Sequence, residues 1–201
     1  MPISFFKYFP APKYIGMPHV GFDISSNAIR YIELIKSPKG LTLGRFGTQD
    51  LSTPVVFDDK LASNQDLILS LKKLQKANRF NFVEISIPEE KAYLFTMEIP
   101  SGESETVRNH IEFHLEENVP IALADAVFDY HVIKKGNKKG VDFASVSVVP
   151  RVVIEDYISL FEKCGMTPVS FLIENQAITR SIIGMDDLDT YLVVNIGRTK
   201  T

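Results

Sequence analysis

The chain has 201 residues, of which 45% are hydrophobic and 23% are charged. This composition is typical of a soluble globular protein, and it excludes a disordered tail and a membrane channel. The formal net charge of -3 and the pI near 5.8 exclude a broad attraction to nucleic acid, and the single cysteine excludes an internal disulfide and a thiolate zinc cluster.

The first segment in chain order is an apolar leader over residues 1–18. Its aromatic residues are interrupted by Pro10 and Pro12 and are not followed by a small-residue cleavage site, so we do not interpret it as a signal peptide. We expect the leader to lie over its own domain or to be disordered; docking on a membrane surface or a partner is the alternative. No stretch approaches the roughly 20 apolar residues of a membrane-spanning helix.

The first organised block is a meander of three predicted strands, followed by a helix and a fourth strand. Turn residues separate the first three strands at 26–27 and at 37–40, and apolar residues then recur at helical spacing. The predicted strands cover 19–25, 28–36, 41–51 and 82–87, and the predicted helix covers 64–77.

A β-α-β-β-α unit follows this block. Gly165 supplies the left-handed stop after its second helix, and Cys164 falls on the buried stripe of that helix, so we interpret Cys164 as a core residue. The strands are predicted at 93–99, 126–134 and 141–149, the helices at 104–119 and 150–164, and the hairpin turn at 135–140.

The last part of the chain is predicted as a strand at 169–173, a helix at 174–183 and a further strand at 191–196. No other predicted strand is placed to pair with the final one. We therefore expect it to be disordered or to add to a neighbouring sheet.

Two short polar segments, 22–27 and 194–199, each follow an apolar strand directly. A tight turn of small residues directs backbone N–H groups into one concavity, and such a concavity binds phosphate. A carboxylate at the strand end, here Asp23, can hold a magnesium ion through water, and Arg30 can contact a phosphate oxygen. Taken singly, either segment is more typical of an ordinary hairpin.

The order of these segments resembles the actin and heat-shock chaperone superfamily, and within it the PilM family. The segment VGFDISSNAIRYIEL at 20–34 is similar to the first phosphate motif of PilM. Further similar segments are NVPIAL at 118–123, FDYHVI at 128–133, VSVVPR at 146–151 and YISLFEKCGMTP at 157–168. The resemblance covers roughly residues 19 to 201, and it depends on the order of the segments more than on any one of them.

The resemblance implies an α/β protein with an actin-like (ribonuclease H-like) first domain, which carries an inserted β-α-β-β-α subdomain as in PilM and FtsA. The implied divisions are a leader at 1–18, the first half of the first domain at 19–87, the inserted subdomain at 88–168, the completion of the first domain at 169–187, and the start of a second domain at 188–201. We expect this second domain to be truncated, because the sequence ends before an adenosine-binding motif.

A nucleotide site between two such domains is also implied, with ATP and magnesium as cofactors of the full-length protein and none bound by this chain alone. Carried over by position, Asp23 is the acid that holds magnesium through water, and Glu174 assists a water molecule or the metal. The residues implied in nucleotide binding are Asp23, Ser25, Ser26, Asn27, Arg30, Asn195, Gly197 and Thr199.

Three of these residues depart from the family pattern, which has glycine at position 25, lysine at 30 and aspartate at 195. Ser25 adds a Cβ where the backbone approaches phosphate, and Arg30 is not a free substitute for lysine. Asn195 removes a negative charge that helps to hold a hydrated metal. We therefore expect weak nucleotide binding and little hydrolysis rather than an efficient enzyme.

The implied function is that of a cytoplasmic scaffold for type IV pilus biogenesis at the inner face of the inner membrane. Its implied partners are the cytoplasmic tail of a PilN-type inner-membrane protein and other pilus assembly components, through which it associates with the membrane. We expect the tail to dock at Phe113, Val119, Pro120 and Ile121, because an extended peptide needs apolar pockets and an available strand edge.

Three alternative functions remain open from the sequence. They are an FtsA-like cell-division protein, a cytoplasmic component of type II secretion, and an ATPase or sugar kinase of the same superfamily. The last needs a catalytic base and a sugar-binding loop, and we find neither. His110 and His114 have the spacing of metal ligands on a helix, but no third ligand is placed, so we interpret them as a solvated helix face.

Overall fold

Two β-sheets, one of five strands and one of three, organise the fold. The computed structural model describes residues 17–37, 40–55, 60–101, 104–133, 140–184, 187 and 189–196. The predicted leader, except for residues 17 and 18, and the predicted hairpin turn up to 139 lie outside the described residues.

The elements follow the predicted order as far as the last helix. In chain order they are β1 (His19–Ile24), β2 (Ala28–Ser37), β3 (Gly40–Asp50), α1 (Gln65–Asn78), β4 (Phe82–Ile87), β5 (Tyr93–Pro100), α2 (Ser104–Asn118), β6 (Ala126–Ile133), β7 (Val141–Pro150), α3 (Arg151–Lys163), β8 (Thr167–Ile173) and α4 (Glu174–Ile182). None of these helices, within the described residues, is long and apolar enough to cross a lipid bilayer.

The larger sheet has the strand order β3-β2-β1-β4-β8. Its first three strands pair as an antiparallel meander, whereas β1, β4 and β8 run parallel to one another. This ribonuclease H-like arrangement confirms the predicted α/β fold class. Because parallel strands point the same way, the carboxyl ends of β1, β4 and β8 meet at one edge of the sheet, which we call the strand-end edge.

The first core lies between the larger sheet and the helices α1 and α3. Alternation along β1 and β4 directs every second side chain into it. The inward residues are Val20, Phe22, Ile24, Val83 and Ile85, and the facing stripe of α1 is Leu67, Ile68, Leu71 and Leu74. Asn64 caps α1, since its side-chain oxygen accepts a hydrogen bond from Leu67 N at 3.0 Å.

The second core lies between the three-stranded sheet and α2. The sheet has the order β5-β7-β6 with antiparallel pairing throughout, and this confirms the predicted β-α-β-β-α succession. Residues Ile99, Val107, Ile111, Leu115, Val119, Ala126, Ala144, Val146 and Val148 fill this core.

A third, small cluster joins the two sheets. Ile87, Val149 and Ile173 are buried together at the ends of β4, β7 and β8. A hydrogen bond from Gln176 Nε2 to Ser147 Oγ at 2.7 Å adds a polar contact between α4 and the three-stranded sheet. The smaller sheet is therefore held directly beside the strand-end edge.

The end of α3 has the predicted form. Gly165 adopts a φ of 75°, a left-handed conformation that glycine takes without steric cost, and Met166 N donates to Phe161 O at 3.0 Å across the turn. Cys164 is buried at 4% exposure, which agrees with its interpretation as a core residue.

The final predicted strand does not form. Residues 191–196 have no regular structure, and Leu192 and Ile196 are 90% and 79% exposed. Within the described part of the chain no strand pairs with this segment. These apolar and β-branched residues favour a strand conformation, but a stable strand also needs a neighbouring strand with which to form hydrogen bonds.

Candidate functional site

The candidate site lies at the strand-end edge. Asp23 is the penultimate residue of β1, and Glu174 begins α4 directly after β8. The register of the sheet places Asp23 beside Ser86, near the end of β4. In open α/β sheets the carboxyl ends of parallel strands form the crevice in which ligands bind.

Asp23 and Arg30 form an ion pair across β1 and β2. They are register partners, and Arg30 Nη1 donates to Asp23 Oδ2 at 3.2 Å. Their side chains are 42% and 56% exposed, respectively. An exposed pair of this kind is worth about 0–1 kcal/mol, so a phosphate and a cation can replace it at little cost.

The donors of Ser25 are used to close the turn between β1 and β2. Its N–H and its hydroxyl both donate to Ala28 O, at 2.9 and 3.0 Å. Two further backbone groups, Leu51 N and Val55 N, donate to carbonyl oxygens of the same turn at 2.9 and 2.6 Å. Ser25 therefore offers neither of these donors to a phosphate in this structure, while the turn itself is well supported.

Glu174 and Asn195 are brought together although they are 21 residues apart in the chain. Asn195 Nδ2 donates to Glu174 Oε1 at 3.3 Å. An amide can make this contact, whereas an aspartate at the same position would place a second negative charge beside Glu174. Gly197 and Thr199, the other predicted members of the second phosphate clamp, lie outside the described residues.

A buried tyrosine of α3 belongs to the first core, beside β1. Tyr157 of α3 is 2% exposed, and its hydroxyl has no hydrogen-bond partner among the described residues. Burial raises the pKa of the Tyr157 hydroxyl far above its ordinary value, and nearby carboxylates raise it further. In order of influence these carboxylates belong to Asp23, Asp156, Glu90 and Glu174. The hydroxyl therefore stays protonated and neutral at any physiological pH.

Two carboxylates lie at this edge, and carboxylate is a donor type by which a hydrated magnesium ion is held through water. Asp23 and Glu174 supply carboxylates, but in the described ranges no three His, Cys, Asp or Glu side chains converge as a direct metal cage. Magnesium in nucleotide sites keeps several waters and is held by one or two carboxylates together with phosphates. Asp23 and Glu174 are the residues that would hold it here.

The four residues predicted to bind a partner tail separate into buried and exposed pairs. Val119 is 4% exposed within the second core, and Ile121 packs half-buried against it, so these two support the surface rather than form it. Phe113 is 80% exposed on the outer side of α2, and Pro120 is exposed just beyond the end of that helix.

The two histidines of α2 contact each other beside Phe113. The ring centroids of His110 and His114 are 4.7 Å apart, and those of Phe113 and His114 are 5.0 Å apart with the two rings nearly perpendicular. A ring nitrogen of His114 lies 2.9 Å from Glu117 Oε2. These contacts are those of neighbouring side chains on one helix face.

The sequence analysis missed Tyr157 as a site residue. Tyr157 falls on the buried stripe of α3. The helical pattern predicts that such a position is buried, but it does not distinguish the role of a tyrosine from that of a phenylalanine. The available signal was chemical: a buried tyrosine hydroxyl usually has a hydrogen-bond partner, and the stripe of α3 provides none.

Comparison with known protein families gives one match that spans both sheets. The sequence profile of the family described as "Type IV pilus assembly protein PilM" matches residues 21–197. No curated protein matches the chain at a significant level.

Two solved structures share the fold. The PilM-PilN type IV pilus biogenesis complex gives a TM-score of 0.70 at 14% identity, and the alignment covers 81% of this chain and 49% of that chain. The cytoplasmic domain of EpsL, an inner-membrane component of the type II secretion system of Vibrio cholerae, gives a TM-score of 0.50 at 17% identity, with 76% and 56% covered. The present chain thus spans about half the length of the structures it matches.

Proposed function

Because this chain belongs to the PilM family of type IV pilus assembly proteins, we propose that it is a scaffold that binds the cytoplasmic tail of a PilN-type inner-membrane protein. The observation that carries the proposal is the family match over residues 21–197, which includes both sheets. The common fold with the PilM-PilN complex supports the choice of partner. The scaffold acts in the cytoplasm and reaches the inner face of the inner membrane through its partners.

The docking surface of the tail includes Phe113. An aromatic ring that is 80% exposed offers apolar area that a bound peptide can cover. The strand order β5-β7-β6 also leaves β5 and β6 as edge strands in the smaller sheet, and an extended peptide can add to either edge through backbone hydrogen bonds. An apolar anchor together with an open strand edge is the combination that a short tail requires.

A titration with a labelled synthetic peptide tests this proposal. The peptide is the cytoplasmic N-terminal segment of the PilN-type protein from the same organism, and binding is measured by fluorescence anisotropy. We expect wild-type protein to bind it and Phe113→Ser to weaken binding about tenfold or more, because loss of an aromatic anchor commonly costs 2 kcal/mol or more.

The matched control is Leu69→Ser, which removes another exposed apolar side chain, 65% exposed, from α1. It is expected to bind the peptide like the wild type. Absence of binding by the wild type, or equal loss in the two variants, would contradict docking at Phe113.

The nucleotide site is proposed to be weak and close to non-catalytic. Ser25 keeps its donors within the turn, and Arg30 is engaged with Asp23, so the usual phosphate contacts are reduced. We expect Mg-ATP to bind the full-length protein measurably by calorimetry, with Asp23→Ala abolishing the magnesium dependence, and phosphate release to stay near background. Rapid turnover that is lost in Asp23→Ala would contradict the scaffold role and favour an ATPase.

A further inference from the structure

We propose that Tyr157 is a positioning residue of the strand-end site, where its hydroxyl forms a hydrogen bond with a water molecule in the shell of a hydrated divalent cation. The inference rests on the nucleotide binding proposed above. It adds a neutral hydrogen-bonding group, contributed by α3, to carboxylates that come from the ends of β1 and β8.

The first observation is the unpartnered hydroxyl. Tyr157 is 2% exposed, and its oxygen contacts no donor or acceptor among the described residues. A buried polar group without a partner lowers stability, and in native proteins it calls for an explanation such as a water molecule or a ligand. Phenylalanine would fill the same space without this cost, so packing alone does not account for a tyrosine.

The second observation is the direction of the side chain. The helix α3 and the following strand β8 are joined by a short turn and have similar lengths, about 20 Å and 23 Å, so α3 begins near the level at which β8 ends. Side chains of a helix lean toward its N-terminus. Ile154, about one turn before Tyr157 on α3, packs against the cluster of Ile87, Val149 and Ile173 at the strand ends, so this lean carries the Tyr157 ring toward the strand-end edge.

The third observation is the set of charges around the hydroxyl. Asp23 lies near the end of β1, Glu90 follows β4 and Glu174 follows β8, and these carboxylates, together with Asp156 of α3, raise the pKa of Tyr157. These charges oppose ionisation of the hydroxyl, so Tyr157 presents a neutral oxygen. Carboxylates accept hydrogen bonds from the water shell of a cation, and the neutral oxygen of Tyr157 adds an acceptor without adding charge.

Substitution of Tyr157 by phenylalanine separates this role from a purely structural one. The affinity of the full-length protein for a fluorescent ATP analogue is measured in magnesium and again in EDTA. We expect Tyr157→Phe to lose about twofold to tenfold affinity in magnesium and none in EDTA. Its thermal midpoint without ligand is expected to be unchanged or raised, because the unpartnered hydroxyl is gone.

The control is Tyr31→Phe, which removes a hydroxyl from another ring that packs against the first core, with its centroid 5.9 Å from that of Phe22. It is expected to change neither affinity. When the wild type binds the analogue, an equal loss in magnesium and EDTA for Tyr157→Phe, or no loss in either, overturns the proposal.

A crystal structure of the wild-type chain grown with magnesium distinguishes failure of this inference from failure of nucleotide binding. We expect an ordered water or cation within hydrogen-bond distance of Tyr157 Oη that also contacts Asp23 or Glu174. If the wild type binds no nucleotide but this water is present, the nucleotide proposal fails and the role of Tyr157 stands. A hydroxyl with no such neighbour overturns the role of Tyr157, whatever the nucleotide affinity.

Discussion

At the scale of single residues, Arg45 combines an ion pair, a backbone hydrogen bond and a ring contact in the larger sheet. Its Nε and Nη2 donate to the two carboxylate oxygens of Glu33 at 2.7 Å each, and Nη1 donates to Asn78 O. Its guanidinium carbon lies 4.7 Å from the ring centroid of Phe80, a buried residue of the first core. A bidentate pair that also stacks on an aromatic ring is geometrically constrained, in contrast to most surface ion pairs.

The substitution Arg45→Met is expected to lower the free energy of unfolding by about 1–2 kcal/mol. This is less than a fully buried charge pair would lose, because the Arg45 side chain is 43% exposed. The matched change Arg30→Met removes the exposed pair with Asp23 and is expected to cost less than about 0.5 kcal/mol. Urea unfolding checks both values. Equal losses of unfolding free energy would show that the bidentate pair of Arg45 stabilises the protein no more than the exposed pair of Arg30.

The same pair predicts a pH dependence. Side-chain hydrogen bonds from Arg45 lower the pKa of Glu33 in the folded protein, against an opposing effect of burial. The pair therefore contributes its full stability above the unfolded-state pKa of Glu33 and loses it as the pH falls through the lower, folded-state value. Between about pH 5 and pH 3, wild-type protein should lose more unfolding free energy than Glu33→Gln. Urea titrations at a series of pH values measure this. If the unfolding free energies of the wild type and Glu33→Gln fell equally over that pH range, the prediction would be refuted.

Within single elements, the two faces of α1 provide a direct test of core packing. Leu71 is fully buried in the first core, and Leu69, two residues earlier on the same helix, is 65% exposed. Leu71→Ala should cost about 2–5 kcal/mol of unfolding free energy, whereas Leu69→Ala should cost less than about 0.5 kcal/mol. Because leucine and alanine have similar helix propensity, the difference measured by chemical denaturation reports burial alone.

The regular elements could be predicted from the sequence because their signals are local. Asn64 caps α1 and Gly165 ends α3 as expected, since each signal depends on the conformation of a few neighbouring residues. The segment 191–196 has an equally apolar sequence, but pairing depends on a distant strand, and the local pattern holds no information about one. Propensity therefore predicted a strand that the described residues do not form.

The candidate site was predictable only in part, for a related reason. The resemblance implied that Asp23 and Glu174 belong to one site, and the parallel order of β1, β4 and β8 brings both to the strand-end edge. Val119 was predicted to contact a partner but is buried, because the apolar stripe of α2 continues past the end of the helix into the second core. Tyr157 was missed because helical periodicity reports burial and does not report which atoms lack partners.

For the molecule as a whole, two cores are coupled through the small cluster of Ile87, Val149 and Ile173. Val148 and Val149 are neighbours on β7, and their side chains point to opposite faces of the sheet. Val148 packs in the second core, whereas Val149 packs in the cluster with Ile87 and Ile173, which we call the coupling cluster. Each valine is buried, at 0% and 7% exposure. This pair distinguishes the stability of the smaller sheet from its coupling to the larger one.

Val148→Ala should increase amide hydrogen exchange mainly in β5, β6 and β7, with a cost of about 1–3 kcal/mol. Val149→Ala should also increase exchange at the ends of β4 and β8, because it opens the shared cluster. Hydrogen exchange read by mass spectrometry checks both patterns. Identical patterns in the two variants would show that the sheets unfold as one unit whichever core is weakened.

The placement of the coupling cluster also bears on how this protein can be rebuilt. The chain leaves the larger sheet after Ile87 and re-enters its first core through α3, and Ile87 and Val149 are packed together. Entry and exit of the smaller sheet therefore lie side by side, so a different module with adjacent termini can be grafted between Pro88 and Pro150 while β4 and β8 keep their register. In such a chimera the smaller sheet, proposed to bind the partner, is replaced while the strand-end site is kept, so the two proposed binding functions can be measured separately.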